Sequence, residues 1–252
     1  MSDFNRNVTA RGGFADRTAA VDAGLRAYML RVYNYMAAAV ALTGVVAWLC
    51  FQNAVVTNEA GAITGLTSFG QMLLGGYTPI VLMLATLGLV FFISFRIHTL
   101  QYTTALALFM FYAALLGAAL TSVLVAYTGA SVARVFFISA ASFGALSLYG
   151  YTTQRDLSAM GSFLIMGLFG IIIASLVNIF LKSSGLDWAI SVIGVGVFAG
   201  LTAYDTQRIK EMYDSMDDDG TMGRKAIMGA LALYLDFINL FLMLLRLFGG
   251  RR

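Results

Sequence analysis

Cysteine, proline and histidine are almost absent from this sequence of 252 residues. Each occurs once, as Cys50, Pro79 and His98. A single cysteine excludes an intramolecular disulfide framework and leaves no cysteine cluster that could hold zinc or an iron–sulfur centre. We therefore expect no cofactor, and the chain needs another source of stability.

Charged residues are also scarce. They make up 12% of the chain, hydrophobic residues make up 60%, and the mean hydropathy is +0.81. This composition leaves too little polar surface to cover a soluble globule, so we expect an integral membrane protein stabilised by lipid. The net charge of +3 is small and its basic residues cluster at segment ends, which does not favour nucleic acid as a partner.

Long apolar runs dominate what remains. A helix needs about 20 apolar residues to cross the hydrocarbon core, and the sequence predicts an all-α bundle of seven transmembrane helices with short loops. Residues 1–28 contain no apolar signal-peptide core, so we interpret them as an N-terminal segment before a membrane domain over 29–252. The predicted spans are Leu30–Phe51, Pro79–Phe95, Thr103–Tyr127, Val135–Tyr151, Gly161–Leu181, Trp188–Asp205 and Ala226–Phe248. In the sixth span, Gly196 and Gly200 form a small-xxx-small pair that predicts close helix packing.

The distribution of lysine and arginine predicts that the N-terminus is cytoplasmic, because basic loops are retained on that side. Most loop arginines and lysines then lie inside. The C-terminal tail is the exception, since Arg246, Arg251 and Arg252 fall outside after seven crossings. They would obey the rule only if the last segment were re-entrant, and the sequence leaves both possibilities open.

Two acidic residues lie within the predicted spans. Asp236 is 11 residues after Lys225 and 10 before Arg246, so a straight helix places it roughly 16 Å from either charged end. An ionised carboxylate at that depth costs at least about 2.5 to 3.5 kcal/mol on insertion scales. Asp205 is shallower, five residues before Lys210. Intramembrane acids generally have functional roles, so both are candidate site residues.

These aspartates stand on consecutive antiparallel helices near the same side of the membrane. If their carboxyl groups touch, both cannot ionise cheaply, and the pair would share one proton and act as a pH sensor. A structural interpretation stays open: Asp205 pairing with Arg208, and Asp236 bonding to a neighbouring span. Arg96, at the end of the second span, is the candidate cation to bridge the pair, although it is equally suited to snorkelling. His98 is expected in the interface.

Two segments resemble the signatures of the Bax inhibitor family of transmembrane proteins, in particular its bacterial members. They are Ala-Tyr-Asp-Thr-Gln-Arg-Ile-Lys at 203–210 and Leu-Tyr-Leu-Asp-Phe-Ile-Asn-Leu-Phe at 233–241. Gln-Arg-Asp-Leu-Ser, at 154–158 after the fourth span, supports the match.

The resemblance implies seven helices around a central last helix, a bacterial inner membrane location, and a pH-dependent calcium leak. It implies that Asp205 and Asp236 sense protons and form a tentative calcium path, and that Arg96 latches the second helix to them. One departure concerns the second span, where some bacterial members carry a glutamate and this chain has apolar residues such as Ala85. A cation site that relied on that acid is in doubt here.

Other function classes are less compatible with the sequence. A two-aspartate intramembrane protease would carry Gly-x-Gly before its second acid, but Asp236 follows Leu-Tyr-Leu, and Pro79 as the sole proline leaves no Pro-Ala-Leu segment. A retinal protein would need a lysine inside a span, but Lys182, Lys210 and Lys225 all lie in loops or at span ends. We therefore do not expect an enzyme. A proton-coupled transporter and a regulatory membrane protein that moves no ion remain the alternatives to a calcium leak.

Overall fold

A computed structural model describes the backbone of residues 3–58 and 62–252, and the side chains from residue 21 onward outside 59–61. This part of the chain forms a helical bundle with one small hairpin. Its elements are α1 (Asp3–Ala54), β1 (Val55–Thr57), β2 (Ile63–Leu66), α2 (Ser68–Leu74), α3 (Thr78–Arg96), α4 (Tyr102–Ala126), α5 (Gly129–Thr152), α6 (Ser158–Leu181), α7 (Ser184–Glu211) and α8 (Asp219–Phe248).

Seven of these helices are long and apolar enough to cross a membrane, namely α1 from Val21 onward and α3 to α8. The predicted seven-helix bundle is therefore confirmed. Several helices extend beyond the predicted spans, because hydropathy detects the part suited to hydrocarbon and the backbone continues into more polar surroundings. The connection between the first two predicted spans, residues 52–78, contains the antiparallel pair β1–β2 and the short helix α2.

The last helix is central, as the resemblance implied. Helix α8 packs against α1, α4, α5 and α7. Within its most apolar window 72% of the residues are buried inside the protein, compared with 11% for α3 and for α6. An acidic side chain on α8 is therefore surrounded by protein, whereas the outer faces of α3 and α6 are left for lipid.

Helix α8 begins with a side-chain cap that fixes its first turn. The carboxylate of Asp218 accepts hydrogen bonds from the backbone N–H of Gly220 and of Thr221, and from the Thr221 hydroxyl. The bonds from Thr221 lower the pKa of Asp218 below its ordinary value. Because the folded-state pKa is the lower one, the cap stabilises the helix at neutral pH, and this contribution is lost as the pH falls through that pKa.

We call the two ends of the bundle inner and outer, following the predicted orientation. The loops at 97–101, 153–157 and 212–218 lie at the inner end. Helix α8 is unbroken and ends at the outer end, where Arg246 forms an ion pair with Asp187 at 3.6 Å. Arg252 donates to the Tyr127 carbonyl at 3.2 Å and lies 5.3 Å from the centre of the Phe51 ring. The last segment thus crosses the whole bundle, and Arg246 and Arg252 are engaged by other helices and turns.

Candidate functional site

The side chains of Asp205 and Asp236 meet between α7 and α8. Their carboxyl groups lie within hydrogen-bonding contact of each other. An ionised carboxylate has acceptors only, so a hydrogen bond between two carboxyl groups requires a proton on one of them. The structure thus brings together the two acids that the sequence singled out.

Close packing between α7 and α8 sets the register of this contact. Added Cβ atoms on Gly194 and on Gly229 would lie 2.9 Å from the side chains of Met243 and Ile209 respectively, so glycine allows the helices to approach at both points. Gly194 is level with Met243 and Gly229 is level with Ile209. In this antiparallel register Asp236 lies opposite residues 201–202 of α7, which come about one helical turn before Asp205. Asp236 is therefore deeper, by roughly 5 Å along the axis.

The two acids differ in their access to water. Asp236 is only 5% exposed, and its Oδ2 has no donor among the described residues as long as both carboxyls are ionised. A proton on either carboxyl supplies that donor. Asp205 is half-buried and lines a cavity of about 240 Å³ near the inner end. Asp205 is thus the member of the pair that lies next to the cavity, and Asp236 lies deeper.

Basic groups surround this cavity. Asp205 is the one acidic residue on its wall within the described part of the chain, whereas Arg208, Arg224 and Lys225 also line it. The charge of Arg208 acts directly on Asp205, and Lys225 is already paired with Asp217 at 2.6 Å. The remaining lining residues are Ile97, His98, Ile209, Met212, Thr221, Met228, Gly229 and Ala232.

Arg96 takes no part in this arrangement. It is exposed at the end of α3, does not line the cavity, and belongs to neither ion pair of the described residues. The contribution of this segment comes instead from the next two residues: the buried Ile97 and the exposed His98 both line the cavity. A latching role for Arg96 stays a prediction. The three basic residues on the cavity wall, Arg208, Arg224 and Lys225, form what we call the basic rim. The sequence did not predict this rim, although Arg208, one turn after Asp205, was considered as a partner of Asp205.

Helix α3, which leads into Ile97 and His98, is loosely held. It packs mainly on α4, with a smaller contact to α2, and most of its apolar window faces outward. A helix with few buried contacts is the kind of element that moves at low cost in free energy. The cavity above Asp205 is therefore bordered by the end of a peripheral helix.

Hydrogen bonds from the residues next to Asp205 hold α7 in place. The side-chain amide of Gln207 donates to the Arg155 carbonyl at 2.8 Å and accepts from the Leu157 N–H at 2.8 Å. The hydroxyl of Thr206 lies 3.0 Å from that of Ser147 on α5, which lies 2.6 Å from the Tyr33 hydroxyl on α1. These contacts connect the 203–210 segment to the 154–158 segment and fix the orientation of Asp205.

No group of three or more His, Cys, Asp or Glu side chains that could hold a metal ion occurs in the described part of the chain. Calcium takes six to eight oxygen ligands in proteins. The two carboxyl groups supply at most four of these oxygens.

Residues 25–252 match the model of a protein family described as inhibitor of apoptosis-promoting Bax1. The chain is 48% identical over 232 residues to the inner membrane protein YbhL of Escherichia coli K12, covering 91% of this chain and 94% of that protein. An uncharacterized protein of Caulobacter vibrioides is 46% identical over the full length of both chains. The uncharacterized protein YrjE of Lactococcus lactis is 37% identical over 90% of this chain and 92% of its own.

Proposed function

Because this chain belongs to the Bax inhibitor family, we propose that it is a pH-sensitive calcium leak channel of the bacterial inner membrane. The proton sensor is the pair Asp205–Asp236. The observation that carries the proposal is the contact of the two carboxyl groups below a cavity at the inner end of the bundle. Ionisable residues within membrane spans are costly, and their default interpretation is therefore functional.

The charge of the pair supplies the switch. With one shared proton the pair carries a single negative charge and a hydrogen bond joins α7 to α8. Loss of that proton places two negative charges about 4 Å apart, and their repulsion is about 4 kcal/mol at an effective dielectric constant of 20. A free-energy difference of this size shifts a two-state equilibrium by roughly 10³-fold, which is sufficient to change which helix arrangement is populated.

The proposed gate is the end of α3. Ile97 and His98 already lie on the cavity wall, and Arg96 comes immediately before them. A rotation of this loosely packed helix end would bring the Arg96 side chain to the mouth of the cavity in place of Ile97 or His98. In that position Arg96 would act as the latch. The change in charge of the aspartate pair then biases α3 between a covering and an uncovering position.

The basic rim favours a slow leak through such a path. Arg208 and Arg224 repel a divalent cation at the cavity mouth, whereas the aspartates attract it farther in. The barrier and the attractive site lie in series along the same route. This order of charges suits a low, regulated leak better than a high-conductance pore.

Calcium flux into liposomes that contain the purified chain tests the proposal against its alternatives. With a calcium gradient and equal pH on both sides, we expect entry that stops when the gradient is exhausted. A proton-coupled transporter remains the second candidate, because a buried carboxyl pair also suits proton relays. It would accumulate calcium against its gradient when only a pH gradient is imposed. Absence of flux under both conditions, relative to protein-free liposomes, would indicate a regulatory protein and contradict the leak.

A further inference from the structure

A second cavity shares no lining residue with the candidate site's inner cavity and has no role in the proposed leak. It is a cleft of about 1100 Å³ between α1 and α5, with Phe237 of α8 at its floor. A smaller cavity of about 340 Å³ continues it toward the outer end and shares Val40, Gly44, Phe136 and Phe237 with it. We call the two together the α1–α5 cleft.

The α1–α5 cleft is open to the membrane and too apolar to hold ordered water. Along the larger cavity the polar groups are few, and two of them, the hydroxyls of Tyr33 and Ser147, are already hydrogen-bonded to each other. A buried water needs two to four polar partners, which the remaining wall does not offer. Apolar surface at this depth is normally in contact with other apolar atoms, because a void loses their dispersion contacts.

The length of the cleft matches that of the hydrocarbon core. The α1 wall of its larger cavity runs from Arg26 to Val45, which is 20 residues or roughly 28 Å of helix. The hydrocarbon core of a bilayer is about 30 Å thick. The cleft thus runs along the direction in which acyl chains lie.

Positive charge is concentrated at the inner end of the cleft. Arg26 lines this end, is exposed, and takes part in neither ion pair of the residues with described side chains. Tyr151 lines the same end, and the ammonium of Lys210 lies 5.3 Å from the centre of its ring. An anionic head group at this level meets the guanidinium of Arg26, with the ammonium of Lys210 held nearby on the Tyr151 carbonyl at 2.9 Å, while the chains below it meet mostly apolar side chains.

From this combination we infer that the α1–α5 cleft binds an anionic phospholipid, with its acyl chains between α1 and α5 and its phosphate at Arg26. The cytoplasmic leaflet is the source, because the basic end of the cleft is the predicted cytoplasmic end and anionic lipids attract basic residues there. The inference is independent of any calcium flux. It assigns Arg26 to head-group recognition and Gly144, about 10 Å of helix from Tyr151, to keeping the walls open.

Two glycines on the cleft wall can be replaced by larger residues that fill the cleft without disturbing the packing of the helices. Added Cβ atoms on Gly44 of α1 and on Gly144 of α5 meet no heavy atom within 4 Å. The matched control is Gly170 of α6, which also faces open space but lies outside the cleft. Leucine at each of the three positions adds the same bulk to an outward-facing helix surface.

The experiment is native mass spectrometry of the full chain after incubation with equal amounts of phosphatidylglycerol and phosphatidylcholine. We expect the native chain and Gly170→Leu to retain phosphatidylglycerol preferentially. Gly144→Leu should lose most of the retained lipid, whereas Gly44→Leu, roughly 27 Å of helix from Arg26 and so beyond one leaflet, should lose less. Arg26→Gln should still retain lipid, but with a preference for phosphatidylglycerol reduced about fivefold, the effect of one basic residue near the membrane surface.

Equal lipid retention by Gly144→Leu and Gly170→Leu would overturn the inference, as would an unchanged preference in Arg26→Gln. The oligomeric state is read from the same spectra. A native dimer that dissociates in Gly144→Leu, without bound lipid in either form, would show that a second copy of the chain fills the cleft and would equally contradict it.

Discussion

Replacing Asp236 by asparagine is expected to remove the pH dependence of calcium flux between pH 5 and 8. Asparagine has nearly the same shape as aspartate and donates a hydrogen bond to Asp205, so the contact between α7 and α8 is kept. No proton is then shared, because only one of the two groups is an acid. The ratio of the fluxes at the two pH values should fall to about one, since the repulsion that drives the switch is absent.

The matched control for this variant is Asp187→Asn. Asp187 lies on the same helix as Asp205 but at the outer end, where it is paired with Arg246. We expect the control to keep the native pH dependence, and both variants to keep the native elution volume in detergent. A pH dependence that persists in Asp236→Asn, or that disappears equally in Asp187→Asn, would show that the carboxyl pair is not the sensor.

A second large effect is expected at Gly150, where α5 crosses α7. A Cβ atom at this position would lie 2.2 Å from the carbonyl oxygen of Ala203 and 3.0 Å from its Cα. Backbone atoms cannot yield as a flexible side chain does, so Gly150→Val should force the helices apart two residues before Asp205. Overpacking typically costs 1 to 3 kcal/mol, and a change of about 2 kcal/mol lowers the melting temperature of a protein this size by roughly 4 to 8 °C.

Thermal unfolding followed by size-exclusion chromatography measures this effect. Gly170→Val is the control, because Gly170 of α6 lies outside the α1–α5 cleft and an added Cβ there meets no heavy atom within 4 Å. Both variants change helix propensity equally, so the difference between them isolates the helix crossing. Equal apparent melting temperatures for the two variants would mean that α5 and α7 are not in close contact at Gly150.

The fold was largely predictable, because membrane spans are determined by length and apolarity. The seven spans and the central last helix are both present in the structure. The glycines were harder to interpret. Gly200 of the predicted small-xxx-small pair packs on Leu164, but Gly196 faces open space, and the approach of α7 to α8 depends on Gly194 instead. Sequence spacing does not show which face of a helix meets its neighbour.

The candidate site was predictable in its residues but not in its geometry. Acids are expensive in a membrane, so Asp205 and Asp236 stood out from the sequence alone. Their contact depends on the register of α7 against α8, which the packing at Gly194 and Gly229 determines. The border of the cavity depends on the direction of one helix end: Ile97 and His98 line it, and Arg96 does not. Neither register nor helix rotation can be inferred from one sequence.

The central claim is that Asp205 and Asp236 act as one proton-sharing unit. The most direct test compares the pH profile of calcium flux in liposomes for the native chain, Asp205→Asn, Asp236→Asn and the double variant. If the pair is one unit, each single variant loses the whole pH dependence and the double variant loses no more. Partial losses in the single variants that add up in the double variant would mean that the two acids titrate independently, which would contradict the account.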